Sequence, residues 1–204
     1  MVSQLIPLFP LELVLLPGAP LPLHIFEPRY KEMIAEVMSQ NDQFGLVRLL
    51  NNNSIAEVGC TAEVLEVTKK YDDGRMDIVT QGQKRFEIAQ LDQERTFLRA
   101  EVTFFEDDPG AAAKAELDKL VDLHKELVGV SGGVSPEVEL DDPQLSFQLA
   151  GSLPLDLDFK QTLLGMRSEE QRVTAMIEYY NALIPQLKRT IKVREKAKGN
   201  GHAM

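Results

Sequence analysis

Residues 7–34 read PLFPLELVLLPGAPLPLHIFEPRYKEMI, and this stretch decides how the first half of the chain must be built. Prolines stand at 7, 10, 17, 20, 22 and 28. Each removes a backbone donor and pushes its predecessor toward extended geometry, so a long helix is excluded. The same run is dense in Leu, Val and Ile, and Pro17-Gly18 breaks it with a turn. Short extended segments with edge character are the consequence. After His24-Ile25-Phe26-Glu27, Pro28 suits the first turn of a helix. Tyr30, Met33, Ile34, Val37 and Met38 supply helical spacing, which predicts a helix over about 28–39.

Further along, β character continues. Phe44–Leu50 is a strand-like run closed by Asn51-Asn52-Asn53-Ser54, and Thr61–Lys69 alternates. Asp72-Asp73-Gly74 before Met76–Val79 is a hairpin signal, because such turns need positive φ. Gly82 reads as another bend, with strands expected at 85–89 and 97–102. The character changes at Glu106-Asp107-Asp108-Pro109, a helix-start signature. Leu117, Leu120, Val121, His124, Leu127 and Val128 then repeat at helical spacing, and 129–136 reads as a flexible connection. Helices are expected from Asp142-Pro143 to about 150 and from near Asp156 or Asp158. Ser168-Glu169-Glu170-Gln171 is a capping box opening a long helix. Pro185 predicts a kink within it. The expected division is 1–107 as a β domain, 108–198 as an α-helical bundle and 199–204 as a disordered tail. The fold class is α+β.

The 204 residues are 44% hydrophobic and 26% charged, an ordinary composition for a soluble globular chain long enough to bury a core. No apolar run reaches the roughly 18 residues that span a bilayer. The N-terminus lacks a charged leader region, and a single cysteine permits no internal disulfide, so a cytoplasmic setting without membrane contact is expected. Net charge is −10, and residues 1–108 carry 10 Lys and Arg against 18 Asp and Glu. That acidic half repels phosphate backbones and argues against nucleic acid as partner. Residues 188–198, KRTIKVREKAK, reverse the sign. They read as a basic helix end complementing the helix dipole, with an anionic contact as the alternative.

The order of these segments resembles the substrate-binding N-terminal domain of the Lon protease family. The resemblance is carried by Pro7–Leu11, by the hydrophobic strand into Pro17-Gly18, and by Leu21–Tyr30. Gly45-Leu46-Val47, Val58–Ala62, Gln81–Phe86 and Asp158–Leu164 continue it across almost the whole chain. It implies a PUA-like β pseudo-barrel with one helix, followed by a helical bundle ending in a long helix. It also implies a polypeptide-binding module. Lon proteases place an ATPase module and a Ser-Lys protease domain after this domain. The present sequence has no G-x-x-x-x-G-K-[ST] loop to cradle phosphates. A stand-alone, non-catalytic, ATP-independent domain without cofactor is therefore the expectation.

The chemical alternatives rest on few residues. His24 with Glu27 three positions later could serve a hydrolase or a metal, although no third ligand is nominated. His124 lies on an apolar helix stripe, and His202 lies near the C-terminus. Cys60, after Gly59, has no base nearby in sequence and reads as a small buried hydrophobe. Glu27 and Arg29 flank Pro28 and suit either an ion pair at a helix start or recognition of a peptide carboxylate. The candidate peptide- or partner-binding residues are Leu15, Leu16, Pro20, Leu21, Leu23, His24, Phe26, Glu27 and Arg29. An edge strand there would take an extended peptide by strand addition. The partner is expected to be unfolded or extended polypeptide or one dedicated protein, with self-association through the C-terminal helix as a further possibility. A PUA-like nucleic-acid binder is the third reading, on fold analogy alone.

Overall fold

The computed structural model describes residues 3–133 and 137–199, with side chains described as far as Val193. Among them are six strands and five helices. In chain order these are β1 (Gln4–Leu11), β2 (Pro20–Ile25), α1 (Pro28–Gln40), β3 (Phe44–Arg48), β4 (Val58–Lys70), β5 (Met76–Asp92) and β6 (Arg99–Phe105). Then come α2 (Lys114–Ser131), α3 (Leu145–Gly151), α4 (Leu157–Gly165) and α5 (Glu169–Gly199). Contacts divide the chain into two compact units. One runs to Asp107 and adds Ala150–Arg167; the other holds Asp108–Leu149 and the chain from Ser168 on.

In the first unit the sheet order is β2-β5-β4-β3-β1-β6, with β6 pairing back to β5. That last pairing closes five strands into a ring and leaves β2 as an added edge on β5. β1 sits inside the ring despite Pro7 and Pro10. It can do so because it changes partner midway: Gln4–Pro7 pair antiparallel with β6, and Leu8–Leu11 pair parallel with β3. No residue of β1 has to serve a ladder on both sides, so the missing proline donors cost little. Ile6, Leu8, Val47, Phe86, Ala100 and Val102 form the barrel core.

The segment expected as separate strands around a bend at Gly82 is one strand of 17 residues. Gly82 is not a bend. Its N–H donates to the Ala19 carbonyl at 3.0 Å, and its carbonyl accepts from the Gly18 N–H at 2.9 Å. A Cβ there would lie 2.2 Å from the Leu16 carbonyl oxygen. Close backbone approach of the β1–β2 connection is what glycine permits here.

α1 buries Tyr30, Met33, Ile34 and Val37, an i, i+3, i+4, i+7 stripe, with Pro28 in its first turn. Tyr30 packs against Phe9 of β1 with the rings tilted by 31° and 4.0 Å between centroids. α4 is capped by Asp156, whose side chain accepts from the Asp158 and Phe159 amides. Buried Arg85 of β5 donates to the carbonyls of Leu164 (3.2 Å) and Met166 and pairs with Asp107. Arg48–Asp158 (2.6 Å) and Gln161 to the Val58 carbonyl (3.0 Å) fasten the same segment to the strands.

In the second unit α2 buries Leu120, Val121, His124, Leu127 and Val128 along its expected stripe, and it packs on α5. α2 runs through Gly129–Ser131, where a flexible connection was expected, and ends at Gly132. The remainder of that expected connection, 134–136, lies outside the described residues, as do 200–204 with His202. Gly199 is the last residue of α5. The wholly buried Arg172 guanidinium bonds Glu169 and Ser146 and lies 4.2 Å over the Phe147 ring. Glu169 in turn accepts from the Ser146 amide and hydroxyl. A buried charge held this way is satisfied on every side the network reaches.

Two outcomes follow from this packing. Gly82→Ala should lower stability by about 3 kcal/mol, because the clash is with backbone rather than a movable side chain. Gly18→Ala, at φ +75° in open space, should cost about 1 kcal/mol. Urea denaturation midpoints of the two variants separate these effects. In the second unit, burial lowers the His124 pKa, and its Nδ1 lies 3.2 Å from the Tyr180 hydroxyl. Below about pH 6.5 the unfolded chain therefore takes up a proton that folded His124 refuses, and stability falls with falling pH. His124→Gln should flatten the urea midpoint between about pH 6.5 and 5 relative to the parent chain.

Candidate functional site

β5 extends past the barrel at its N-terminal end, and antiparallel β4 extends past it at its C-terminal end. Residues 76–81 of β5 pair with β2 on one side, while 63–70 of β4 lie on the other. β3 pairs with Cys60, Thr61 and Ala62 of β4 and goes no further along it. A three-stranded ribbon results, with α1 beginning where β2 ends. The candidate residues gather on this ribbon.

His24, near the end of β2, pairs in register with Asp77 of β5. Its Nδ1 lies 2.5 Å from Asp77 Oδ1, and the Tyr71 hydroxyl donates to Asp77 Oδ2 at 2.9 Å. These two hydrogen bonds, His24 first, hold the Asp77 carboxyl below the usual carboxylate range. The His24 ring stacks on Phe26 at 5.9 Å and meets Tyr71 edge-on at 5.8 Å. Phe26 is 57% exposed, the most exposed aromatic side chain among the large exposed hydrophobics described. Glu27 pairs with Arg29 at 2.9 Å, and Arg29 lies over the Tyr30 ring at 4.5 Å. Glu27 is therefore engaged away from His24. Neither of the two readings of Glu27 and Arg29 is needed alone, since the ion pair itself is partly exposed.

Pro20 and Pro22 of β2 are exposed, and Leu21 and Leu23 are half-buried. Leu15 and Leu16 are buried at 3% and 1% exposure, inside the first unit, so they support the surface rather than form it. β2 is an edge strand, yet its two prolines have no N–H to give a further strand. Cys60 is buried, and loss of solvation pushes its thiol up to about 12. No hydroxyl or thiol lies within hydrogen-bond reach of His24 among the described residues. No group of three or more His, Cys, Asp or Glu able to hold a metal occurs among them either. The partner of His24 stands 53 positions away in sequence, across the β2–β5 pairing, and no local sequence signal marks it.

The model of the ATP-dependent protease La (LON) substrate-binding domain matches residues 5–182. The chain belongs to that family. The Lon protease of Parabacteroides distasonis is 29% identical over 134 residues, covering 62% of this chain and 16% of the relative. The Lon protease of Flavobacterium johnsoniae is 22% identical, covering 95% of this chain and 26% of the relative. The chain thus spans about a quarter or less of the length of these curated relatives. Among solved structures, the Lon N-terminal domain protein from Xanthomonas campestris matches with a TM-score of 0.71 at 24% identity, over 86% of this chain and 98% of that one. The N-terminal domain of the Mycobacterium avium complex Lon protease matches with a TM-score of 0.63 at 17% identity, over 87% and 98%. These likenesses establish the α+β LON fold seen here. No helix among the described residues is long and apolar enough to cross a membrane.

The thiol offers a direct check on the LON-domain barrel. Cys60 should react with a disulfide reagent on the order of a hundredfold more slowly in the native protein than in urea. Fast native labelling would mean that the β3–β4 wall opens readily.

Proposed function

We propose that this LON domain binds extended or unfolded polypeptide, without chemistry, through the ribbon surface of Pro20, Leu21, Leu23, His24, Phe26, Glu27 and Arg29. The observation that carries this reading is Phe26, exposed yet braced by a His24 ring that Asp77 holds in place. An apolar ring ordered before binding loses little freedom when a partner covers it, which is the signature of an interface anchor. Pro20 and Pro22, on the same exposed face of β2 as His24, extend the apolar area, half-buried Leu21 and Leu23 back it from the other face, and the Glu27–Arg29 pair gives polar groups at its margin. The family description, a substrate-binding domain, supports the same class of ligand. The closed five-strand ring with an appended edge fits a PUA-like pseudo-barrel, used here as a rigid mount rather than a nucleic-acid reader. Its acidic balance disfavours phosphate partners. Ile191 and Val193, exposed near the end of α5, are where self-association would occur.

A hydrolytic reading has one feature in its favour, the carboxylate that orients His24 as in an acid–base pair. Turnover of a generic ester that disappears in His24→Ala would select it over binding alone.

Reduced, alkylated casein is a suitable unfolded probe. Added casein should protect backbone amides of residues 20–29 from hydrogen exchange, and Phe26→Ala should weaken its affinity at least tenfold, about 1.4 kcal/mol. Unchanged affinity in Phe26→Ala, with no protection at 20–29, removes this surface from consideration.

A further inference from the structure

The other edge of the ribbon carries a second surface of different chemistry. From Glu63 to Lys70, β4 pairs with β5 on one side, and no strand among the described residues covers its opposite side. The segment EVLEVTKK contains no proline, so its backbone donors and acceptors are intact, unlike those of β2. Beside it the end of α1 leaves a concavity of about 240 Å³, lined by residues that include Met38, Asp42, Glu63, Leu65 and Glu66. Met38 is 40% and Leu65 54% exposed. Asp42, Glu63 and Glu66 make no ion pair among the described residues, and no basic side chain lines the concavity.

We infer that this edge takes up an extended polypeptide segment in which apolar residues alternate with lysine or arginine, added as a strand beside Glu63–Val67. The apolar side chains of such a segment cover Met38 and Leu65, and its cations face Asp42, Glu63 and Glu66. Charge decides the occupant. Over Glu63–Val67 the only charges are Glu63 and Glu66, with Lys69 and Lys70 lying beyond, so a second copy paired over those same five residues adds negative charge to negative charge, whereas a basic strand is attracted. Register shifts at Val64/Glu66 and Val67/Lys69 twist the edge and limit the added strand to a short one. The basic-apolar preference goes beyond general unfolded-chain binding, because it uses a surface separate from His24 and Phe26.

The test uses the full chain and a short fluorescent peptide alternating lysine with valine and leucine, together with its glutamate counterpart. The lysine peptide should bind, more weakly as salt rises, and the glutamate peptide should not. Glu63→Lys/Glu66→Lys should weaken the lysine peptide more than tenfold, while Glu94→Lys on the β5–β6 turn should leave it within twofold. Both glutamates are exposed and unpaired, so the double variant should fold, which its urea midpoint verifies. Bound peptide should bring new exchange protection to the amides of Glu63–Val67. Equal affinity in the double variant, or protection confined to residues 20–29, overturns the inference. Casein binding that depends on Phe26 yet ignores Glu63→Lys/Glu66→Lys overturns it as well, and leaves the first surface standing. Lysine-peptide binding at β4 without casein binding sustains this inference and removes the other.

Discussion

One buried guanidinium and the ring next to it organise the first unit. Arg85 and Phe86 are neighbours on β5 and point to opposite faces, as alternation along a strand requires. Phe86 fills the barrel core beside Ile6, Leu8 and Val102. Arg85, 5% exposed, turns outward and is kept from water by the segment it holds. A buried charge without partners is expensive, and here the carbonyls of Leu164 and Met166 and the carboxylate of Asp107 meet it. The cost of burying Arg85 is thus offset in part by the carbonyls of the 150–167 segment, which its docking on the sheet supplies. That coupling explains how a stretch separated by more than forty residues from β6 belongs to the same compact unit. The fit is directional, so it fixes where α4 lies as well as whether it lies there.

The same strand sets the site. β5 is long enough to close the ring with β6 at one end and carry β2 at the other. Its length past the barrel creates the ribbon, and the ribbon has two edges with opposite backbone chemistry. Prolines silence the donors of β2, so that edge presents side chains: an aromatic, a histidine and half-buried leucines. β4 keeps its donors and guards them with carboxylates. Each protection keeps its edge from pairing freely with another copy of the chain.

Much of this architecture is legible in the residues. The Asp72-Asp73-Gly74 turn, the α1 stripe, the Asp156 region as a helix start and the buried face of α2 all follow from local pattern, because each depends on neighbours a few positions away. What pattern hides is distance. Gly82 signals a special backbone position equally for a bend and for close approach, and only the position of Leu16 decides between them. Leu15 and Leu16 look like the neighbouring Leu21 and Leu23, since an apolar run does not say which leucines face inward. The Asp77 partner of His24 depends on the β2–β5 register, which no local signal encodes. Cys60, in contrast, reads as core because it lies in a β-like segment with no base nearby in sequence, and a thiol so placed behaves as a small hydrophobe.

Buried leucines and exposed aromatics here belong to one mechanical arrangement. Leu15 and Leu16 lock the β1–β2 connection under Gly82, whose two backbone bonds to Gly18 and Ala19 place the start of β2. Along β2 the pairing with β5 carries that placement to His24, where Asp77 and Tyr71 take over. Phe26 is therefore braced through a continuous chain of contacts rooted in the core. A charged residue at Leu16 would disturb the placement of Phe26 by loosening this root, although Leu16 itself is buried. The placement of Phe26 and the stability of the core are linked through β2, and they can be separated only by changes made at the outermost side chains.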